Sequence, residues 1–188
     1  MISTIPLQNL LPPCLSDVPA EVQAACDALR YNSLCSVFIG LAGGEVPDIS
    51  WLYVPDEKTG LFNRISFPPS NYSSKVAPPD HSSILAEITY NDGDAVSRMS
   101  DAEIVEHTVA SLVAAGFIPS RDDVVYTGVA REKFAYVVYD IEYQKNIAIV
   151  REFCRERGID LVGRFSQFEY LNMDGCIRSA IEFVKGYP

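Results

Sequence analysis

The apolar positions of this chain change their spacing about halfway along it. In the first half they form short, dense, β-branched and aromatic runs that end at glycine or proline. Leu34 to Leu41 stops at Gly43-Gly44, and Trp51-Leu52-Tyr53-Val54 stops at Pro55-Asp56. Both predict strands. Phe62 to Phe67 alternates with period two, placing Phe62, Arg64 and Ser66 on one face and Asn63, Ile65 and Phe67 on the other. Ser83 to Tyr90 predicts a fourth strand. Ahead of these, Ile2 to Leu7 reads as a strand end feeding a loop broken by Pro12-Pro13. Pro19 then opens a short helix with Val22, Ala25, Cys26 and Leu29 on one face, ending near Tyr31-Asn32.

Helical spacing dominates the second half. Ser100-Asp101-Ala102-Glu103 is a capping box ahead of Ile104, Val105, Thr108, Leu112 and Val113, and Gly116 stands where a helix ends. Strands are expected over Val124 to Arg131 and Phe134 to Val138. A helix follows over Asn146 to Gly158 with Ile147, Val150, Phe153 and Cys154 inward. A strand over Leu161 to Gly163 leads into a last helix over Met173 to Val184, with Ile177, Ala180, Ile181 and Val184 at core spacing. Strands cluster rather than alternate with helices, so the expected class is α+β, with a mainly antiparallel sheet and flanking helices over 1–188 as one unit. No GxGxxG follows a strand; Gly40 to Gly44 lacks the spacing. The Pro- and Ser-rich stretch from Pro68 to Pro79 reads as a sheet-edge loop.

Composition narrows the function classes. The chain has 188 residues, 48% of them hydrophobic, which is ample for a core. Fifteen basic against 25 acidic residues give a net charge of −10, which argues against nucleic acid or an anionic membrane as a partner. No apolar run reaches the roughly 18 residues needed to span a bilayer. The five cysteines have no CxxC pair and no zinc spacing, so reduced thiols in a cytoplasmic protein are expected, with no metal. His81 and His107 read as surface residues. Ser33, Ser66 and Ser73 have no GxSxG context, which excludes a serine hydrolase of that type. Asp140 and Glu142 read as a solvated pair, and Cys154 and Cys176 as core residues.

The segment from Leu161 to Asp174 carries the most chemistry. A strand ends in Gly163-Arg164, and Asn172-Met173-Asp174 opens a helix, bringing a guanidinium and several backbone N–H groups to one helix N-terminus. An anion could sit there. The plainer alternative is a helix cap at Asn172, with Arg164 in a surface salt bridge.

This segment closely resembles the C-terminal flavin-binding stretch of the superfamily of FAD-dependent amine oxidases, protoporphyrinogen oxidases and UDP-galactopyranose mutases. Further stretches resemble the same proteins in order: Ile2 to Pro6, Tyr31 to Leu41, Trp51 to Pro55, Phe62-Asn63-Arg64, Asn71-Tyr72-Ser73, and Ala135 to Asp140. In the last of these, Val137 stands where the family carries proline. The resemblance implies the substrate-domain part of a Rossmann-type FAD/NAD(P)-binding flavoprotein, with the sheet over about 31–140 and the flavin-contacting strand and helix over about 159–186. It places Gly163, Arg164, Asn172, Met173 and Asp174 at FAD. It also places Arg64, Tyr136 and Tyr170 on substrate, where in the mutases such residues grip a nucleotide-sugar diphosphate. No residue is assigned to catalysis.

The resemblance begins after the family's glycine-rich unit. The expectation is therefore a divided FAD site, with the isolated chain inactive: the Rossmann half has been removed upstream, or lies on a partner chain, or the chain is a remnant with another role. Oxidation of a small-molecule substrate by hydride transfer is the leading expectation. A mutase-type isomerisation of a nucleotide sugar and a non-catalytic interaction module are the alternatives. Apolar surface bared around Ile2 to Leu11 and Leu161 to Val162 is expected to drive homodimerisation.

Overall fold

The computed structural model describes residues 1–43, 46–68 and 77–186. Gly44, the Asn71-Tyr72-Ser73 stretch and most of the expected loop after Pro68 lie outside the described residues. The chain divides into two compact units, one made of 1–32 with 134–188 and the other of 33–133. The divisions fall within two long strands, β2 (Tyr31–Ala42) and β6 (Val124–Val137).

The second unit is built on a sheet of order β3–β4–β5–β2–β6, where β3 is Trp51–Tyr53, β4 is Arg64–Ser66 and β5 is His81–Tyr90. β3 pairs antiparallel with β4, β4 with β5, and β5 with β2, as the expected α+β class requires. Alternate residues of β2 and β5 point the same way: Cys35, Val37, Ile39 and Leu41 join Ile84, Ala86 and Ile88 in the core. Ile104, Val109 and Leu112 of helix α4 (Asp101–Ala114) close that core. Each large apolar side chain buried there contributes about 1.5–3 kcal/mol.

The capping box of α4 forms as its sequence predicts: the Glu103 N–H donates to Ser100 Oγ, and the Ser100 N–H and hydroxyl donate to Glu103 Oε2 at 2.8 and 2.7 Å. Gly116 follows at φ +78°, the left-handed position a glycine tolerates without strain. Two short elements escape the pattern, a four-residue helix α3 (Ala95–Arg98) and a 3₁₀ turn at Arg121–Asp123. The two strands expected over 124–131 and 134–138 are one continuous strand, β6. Lys133 and its charged neighbours look like a break in the apolar pattern, but an exposed strand tolerates them. Phe62 also departs from its parity: the ladder starts only at Arg64, which leaves Phe62 free to turn into the core with Ile65 and Phe67.

The first unit packs helices α1 (Leu7–Cys14), α2 (Ala20–Asp27) and α5 (Tyr143–Glu156) around Leu7, Leu11, Cys26, Val150 and Phe168. A helix at Leu7–Cys14 corrects the loop expected there. Leu7, Leu10 and Leu11 have the i, i+3, i+4 spacing of a helix face and are all buried, and the Cys14 thiol reaches the Asn9 carbonyl left without an amide donor by Pro13. Helix α2 ends sooner than expected because Tyr31 already belongs to β2. Helix α5 starts earlier, at Tyr143, whose ring packs inward on Phe168.

A short strand β1 (Ile2–Ser3) pairs parallel with β7 (Asp160–Leu161). After β7 comes the last helix, α6 (Met173–Gly186), and it overturns a core expectation. Ile177 (61%), Ala180, Ile181 (49%) and Val184 (69%) are exposed, and α6 instead turns Gly175, Cys176, Ser179 and Phe183 toward the body. Spacing identifies an apolar stripe without saying whether this chain covers it. The bared apolar surface therefore does not lie at Leu7, Leu10, Leu11 or Val162, which are buried; it lies along α6, with Ile2 and Ile5 also exposed.

Candidate flavin-contacting turn

The turn between β7 and α6 is held by its own polar side chains. Gly163 sits at φ +97°, where a β-carbon would be strained although nothing lies within 4 Å of it. Its N–H donates to Gln167 Oε1 at 3.1 Å, the Gln167 N–H donates to the Gly163 carbonyl at 2.8 Å, and the Ser179 hydroxyl donates to the same Oε1 at 2.8 Å. Gln167 thus ties the turn to α6. Arg151 of α5 donates to the Gln167 carbonyl at 2.7 Å and to Glu169 Oε1 at 2.5 Å, and the Tyr143 hydroxyl donates to the Phe168 carbonyl at 2.7 Å. Buried Phe168 is held at φ +52° by these supports.

Arg164 is built into this framework and makes no salt bridge among the described residues. Its Nη1 donates to the Leu171 carbonyl and its Nη2 to the Ala135 carbonyl, both at 2.6 Å. The guanidinium lies 4.4 Å from the ring centre of Tyr170 and 5.5 Å from that of Tyr136. The two tyrosine rings stack at 5.9 Å with 17° between their planes. The structure thus brings together Arg164, Tyr136 and Tyr170, which the sequence placed in two separate groups. The Tyr139 hydroxyl, which the sequence did not single out, accepts from the Tyr170 N–H at 2.6 Å.

The first helical bond of α6 runs from the Cys176 N–H to the Asn172 carbonyl at 2.9 Å. The N–H groups of Met173, Asp174 and Gly175 precede it and have no partner within the helix. Asn172, Met173 and Asp174 are exposed and Gly175 is half-buried, and these donors stand at the positive end of the helix dipole. Asp174 adds a negative charge to the same turn. The donor set therefore fits a neutral carbonyl acceptor that gains partial charge, such as the pyrimidine edge of an isoalloxazine ring, better than a phosphate dianion. The residues present fit the ring portion of FAD on that ground.

Arg64 lies in the other unit. Its Nε and Nη2 fork onto both carboxylate oxygens of Glu87, the latter at 2.6 Å, with the Glu87 side chain only 8% exposed. Sequence reading missed Glu87. The available signal was a single acid inside the apolar run Ser83 to Tyr90, on a strand neighbouring that of Arg64.

The remaining candidates have ordinary roles. His81 donates from Nδ1 to the Pro79 carbonyl, and His107 sits beside Ser111; both are exposed. Ser33 donates to the Lys133 carbonyl. Asp140 accepts from the Glu142 N–H, and Glu142 pairs with Lys145 at the start of α5. Burial pushes the Cys26 thiol up to about 12, with Asp27 and Cys154 adding to the effect, and burial also raises Cys35 and Cys154. None of these three is a nucleophile at neutral pH. Cys176, expected in the core, is half-buried. Among the described residues no His, Cys, Asp or Glu cluster could hold a metal, and no helix is long and apolar enough to cross a membrane.

The fold is similar to the substrate-domain part of FAD-dependent enzymes. Solved structures agree: a reduced UDP-galactopyranose mutase superposes with a TM-score of 0.83 and 26% identity over 98% of this chain and 40% of its own. A protein assigned as protoporphyrinogen oxidase from Exiguobacterium gives 0.73 and 17% over 98% and 40%. Putrescine oxidase bound to putrescine gives 0.57 and 15% over 98% and 42%. By fold, the chain is similar to the C-terminal, substrate-domain part of the FAD-dependent amine oxidase superfamily. It spans about two fifths of the length of these neighbours. No family model and no curated protein matches the sequence.

Proposed function

We propose that this chain forms the substrate-domain and ring-contacting part of an FAD-dependent oxidoreductase of the amine oxidase type. The observation that carries this reading is the exposed first turn of α6, Met173 and Asp174, with α6 tied to the Gly163 turn by Gln167 and Ser179. FAD, when bound, supplies the acceptor for a hydride from a substrate carbon. The protein's own part is to orient and to stabilise charge. The N–H groups of Met173, Asp174 and Gly175 meet the ring edge on which negative charge gathers, and Gly163 leaves room for close approach. Arg164 holds the β6 end to the turn through its two carbonyl bonds and adds a fixed positive charge nearby. The dinucleotide-binding portion, on this reading, comes from polypeptide outside the 188 residues, and the site is cytoplasmic.

A second reading, a mutase-type isomerase acting on a nucleotide sugar, is favoured by the stacked Tyr136 and Tyr170 and by the likeness to the mutase. There the phenols would hold a diphosphate; Arg64, expected beside them, lies in the other unit. Because Glu87 already occupies the Arg64 fork, that guanidinium would share its charge with any ligand rather than give all of it.

Lumiflavin, which carries the ring without the adenosine diphosphate, tests the reading. Titration with the chain should quench lumiflavin fluorescence saturably, and Gly175→Pro, which removes one donor at the helix start, should weaken the quenching several-fold. Absence of saturable quenching overturns the proposal.

A further inference from the structure

We infer that the open face of the sheet in the second unit is a binding site for a neutral, planar aromatic molecule carrying one or two polar groups. The site lies wholly within 33–133, so it stands or falls independently of the flavin reading.

Strand pairing lays out the face. Trp51 pairs with Ser66, Ser66 with Leu85, and Leu85 with Phe38, so these four side chains form one row across β3, β4, β5 and β2. Gly40 and Ser83 pair two positions further along the same face. The alternate residues Val37, Ile39, Ile84 and Ala86 point the other way, into the core. Phe38 and Trp51 are 43% and 59% exposed, so the row lies on the uncovered side of the sheet.

Two strand glycines shape this face, and both serve one tyrosine. A β-carbon on Gly40 would stand 3.0 Å from the β-carbon of Tyr126, which puts Tyr126 on the same face, across from Gly40 on β6. A β-carbon on Gly128 would meet the Tyr126 hydroxyl at 2.8 Å and its Cζ at 3.3 Å. The Tyr126 ring therefore lies along β6 over Gly128, and the residue is still exposed. Glycine weakens a strand, and inside one it marks a close approach by backbone or ligand. Here the pair keeps an exposed ring flat against the sheet, a platform on which a second ring can stack.

Beside the platform is a cavity of about 840 Å³ whose lining includes Phe38, Gly40, Ser66, Ser83, Leu85 and Tyr126. Its size suits a small molecule. Charge then selects the occupant. The chain has 15 basic and 25 acidic residues, yet among the described residues no Asp, Glu, Lys or Arg lines this cavity. A charged ligand would lose its hydration there without an opposite charge to meet it, so the occupant is uncharged. Arg64 and Glu87, one residue pair away on the same face, are matched to each other. The hydroxyls of Ser66 and Ser83 can each donate or accept, which sets the ligand's polar content at one or two groups. A second copy of the chain is disfavoured, because each would bring a net charge of −10 to the contact.

The test titrates the full 188-residue chain with Nile red, a neutral planar dye whose fluorescence rises in apolar surroundings. Saturable binding is expected, with the largest amide shift changes of the ¹⁵N-labelled chain at Gly40, Ser83 and Leu85. Tyr126→Ala should weaken binding at least fivefold. Gly128→Ala probes the platform from outside the cavity lining: the added methyl group pushes the Tyr126 ring off the strand, so binding should weaken to a similar degree. Adding Gly128→Ala to Tyr126→Ala should weaken it no further. Tyr126 is exposed and alanine suits a strand better than glycine, so neither variant should lower the melting temperature by more than a few degrees. Ile177→Glu/Ile181→Glu, which removes apolar surface from α6, should leave the affinity unchanged. Absence of saturable binding, shift changes centred elsewhere, or full affinity in Gly128→Ala overturns the site. Equal binding of a sulfonated Nile red, or displacement of the dye by lumiflavin with its more polar ring edge, overturns the assigned ligand class.

Discussion

Tyr136 and Tyr170 are 34 positions apart in sequence, yet their rings stack at 5.9 Å with Arg164 against both. The guanidinium spaces them: it is anchored to the carbonyls of Ala135 and Leu171, the residues adjoining the two tyrosines. Removing it leaves two carbonyls without donors. Arg164→Met should cost about 2–4 kcal/mol, the loss of two charge-assisted hydrogen bonds, and Arg164→Lys, a point charge without a planar fork, should recover only part of it. Urea denaturation midpoints measure both.

Arg64 and Glu87 give a second stability prediction. Arg64→Met strands a buried carboxylate and should destabilise the sheet unit by about 2–4 kcal/mol, somewhat less than a fully buried pair because the arginine is partly exposed. Replacing both residues, as Arg64→Met with Glu87→Leu, should restore much of that loss. A double-mutant cycle from denaturation data shows whether it does.

Thiol labelling tests the packing of both units. Cys14 is exposed and Cys176 half-buried, whereas Cys26, Cys35 and Cys154 are buried with raised thiol pKa values. Iodoacetamide at neutral pH should modify Cys14 first and Cys176 second, and the other three only after unfolding. Peptide mass spectrometry reads the order; early labelling of Cys26 would contradict the α2 and α5 packing.

The α4 cap carries a pH signature. Hydrogen bonds from the Ser100 hydroxyl and N–H hold the Glu103 carboxyl below the ordinary glutamate range. Its stabilising contribution is therefore complete above the ordinary glutamate pKa and is lost as pH falls through the lower folded value. Ser100→Ala should cost about 1 kcal/mol at neutral pH, with the gap from the parent narrowing in acid. Thermal melts across that range measure it.

How much of this was legible in sequence depended on whether the cause was local. The Ser100–Glu103 cap and Gly116 were readable because capping geometry needs only neighbouring residues. The inward face of β2 followed from period two. The helix at Leu7–Cys14 was hidden by Pro12 and Pro13, which fall in its last turn without preventing it, and the break assigned within β6 falls at a cluster of charges that an exposed strand tolerates. At the site, spacing and resemblance singled out Gly163 and Arg164, but Gln167, Tyr139 and Glu87 act through contacts distant in sequence. The α6 stripe shows the same limit from the other side: its residues were identified, but their exposure depends on what the rest of the chain covers.

The central claim is that the Gly163 turn and the start of α6 receive an isoalloxazine ring. Amide chemical shifts of the ¹⁵N-labelled chain, followed during lumiflavin addition, test it most directly. The largest changes are expected on Gly163, Met173, Asp174 and Gly175. Changes centred elsewhere, or none at any of these four amides, would contradict it.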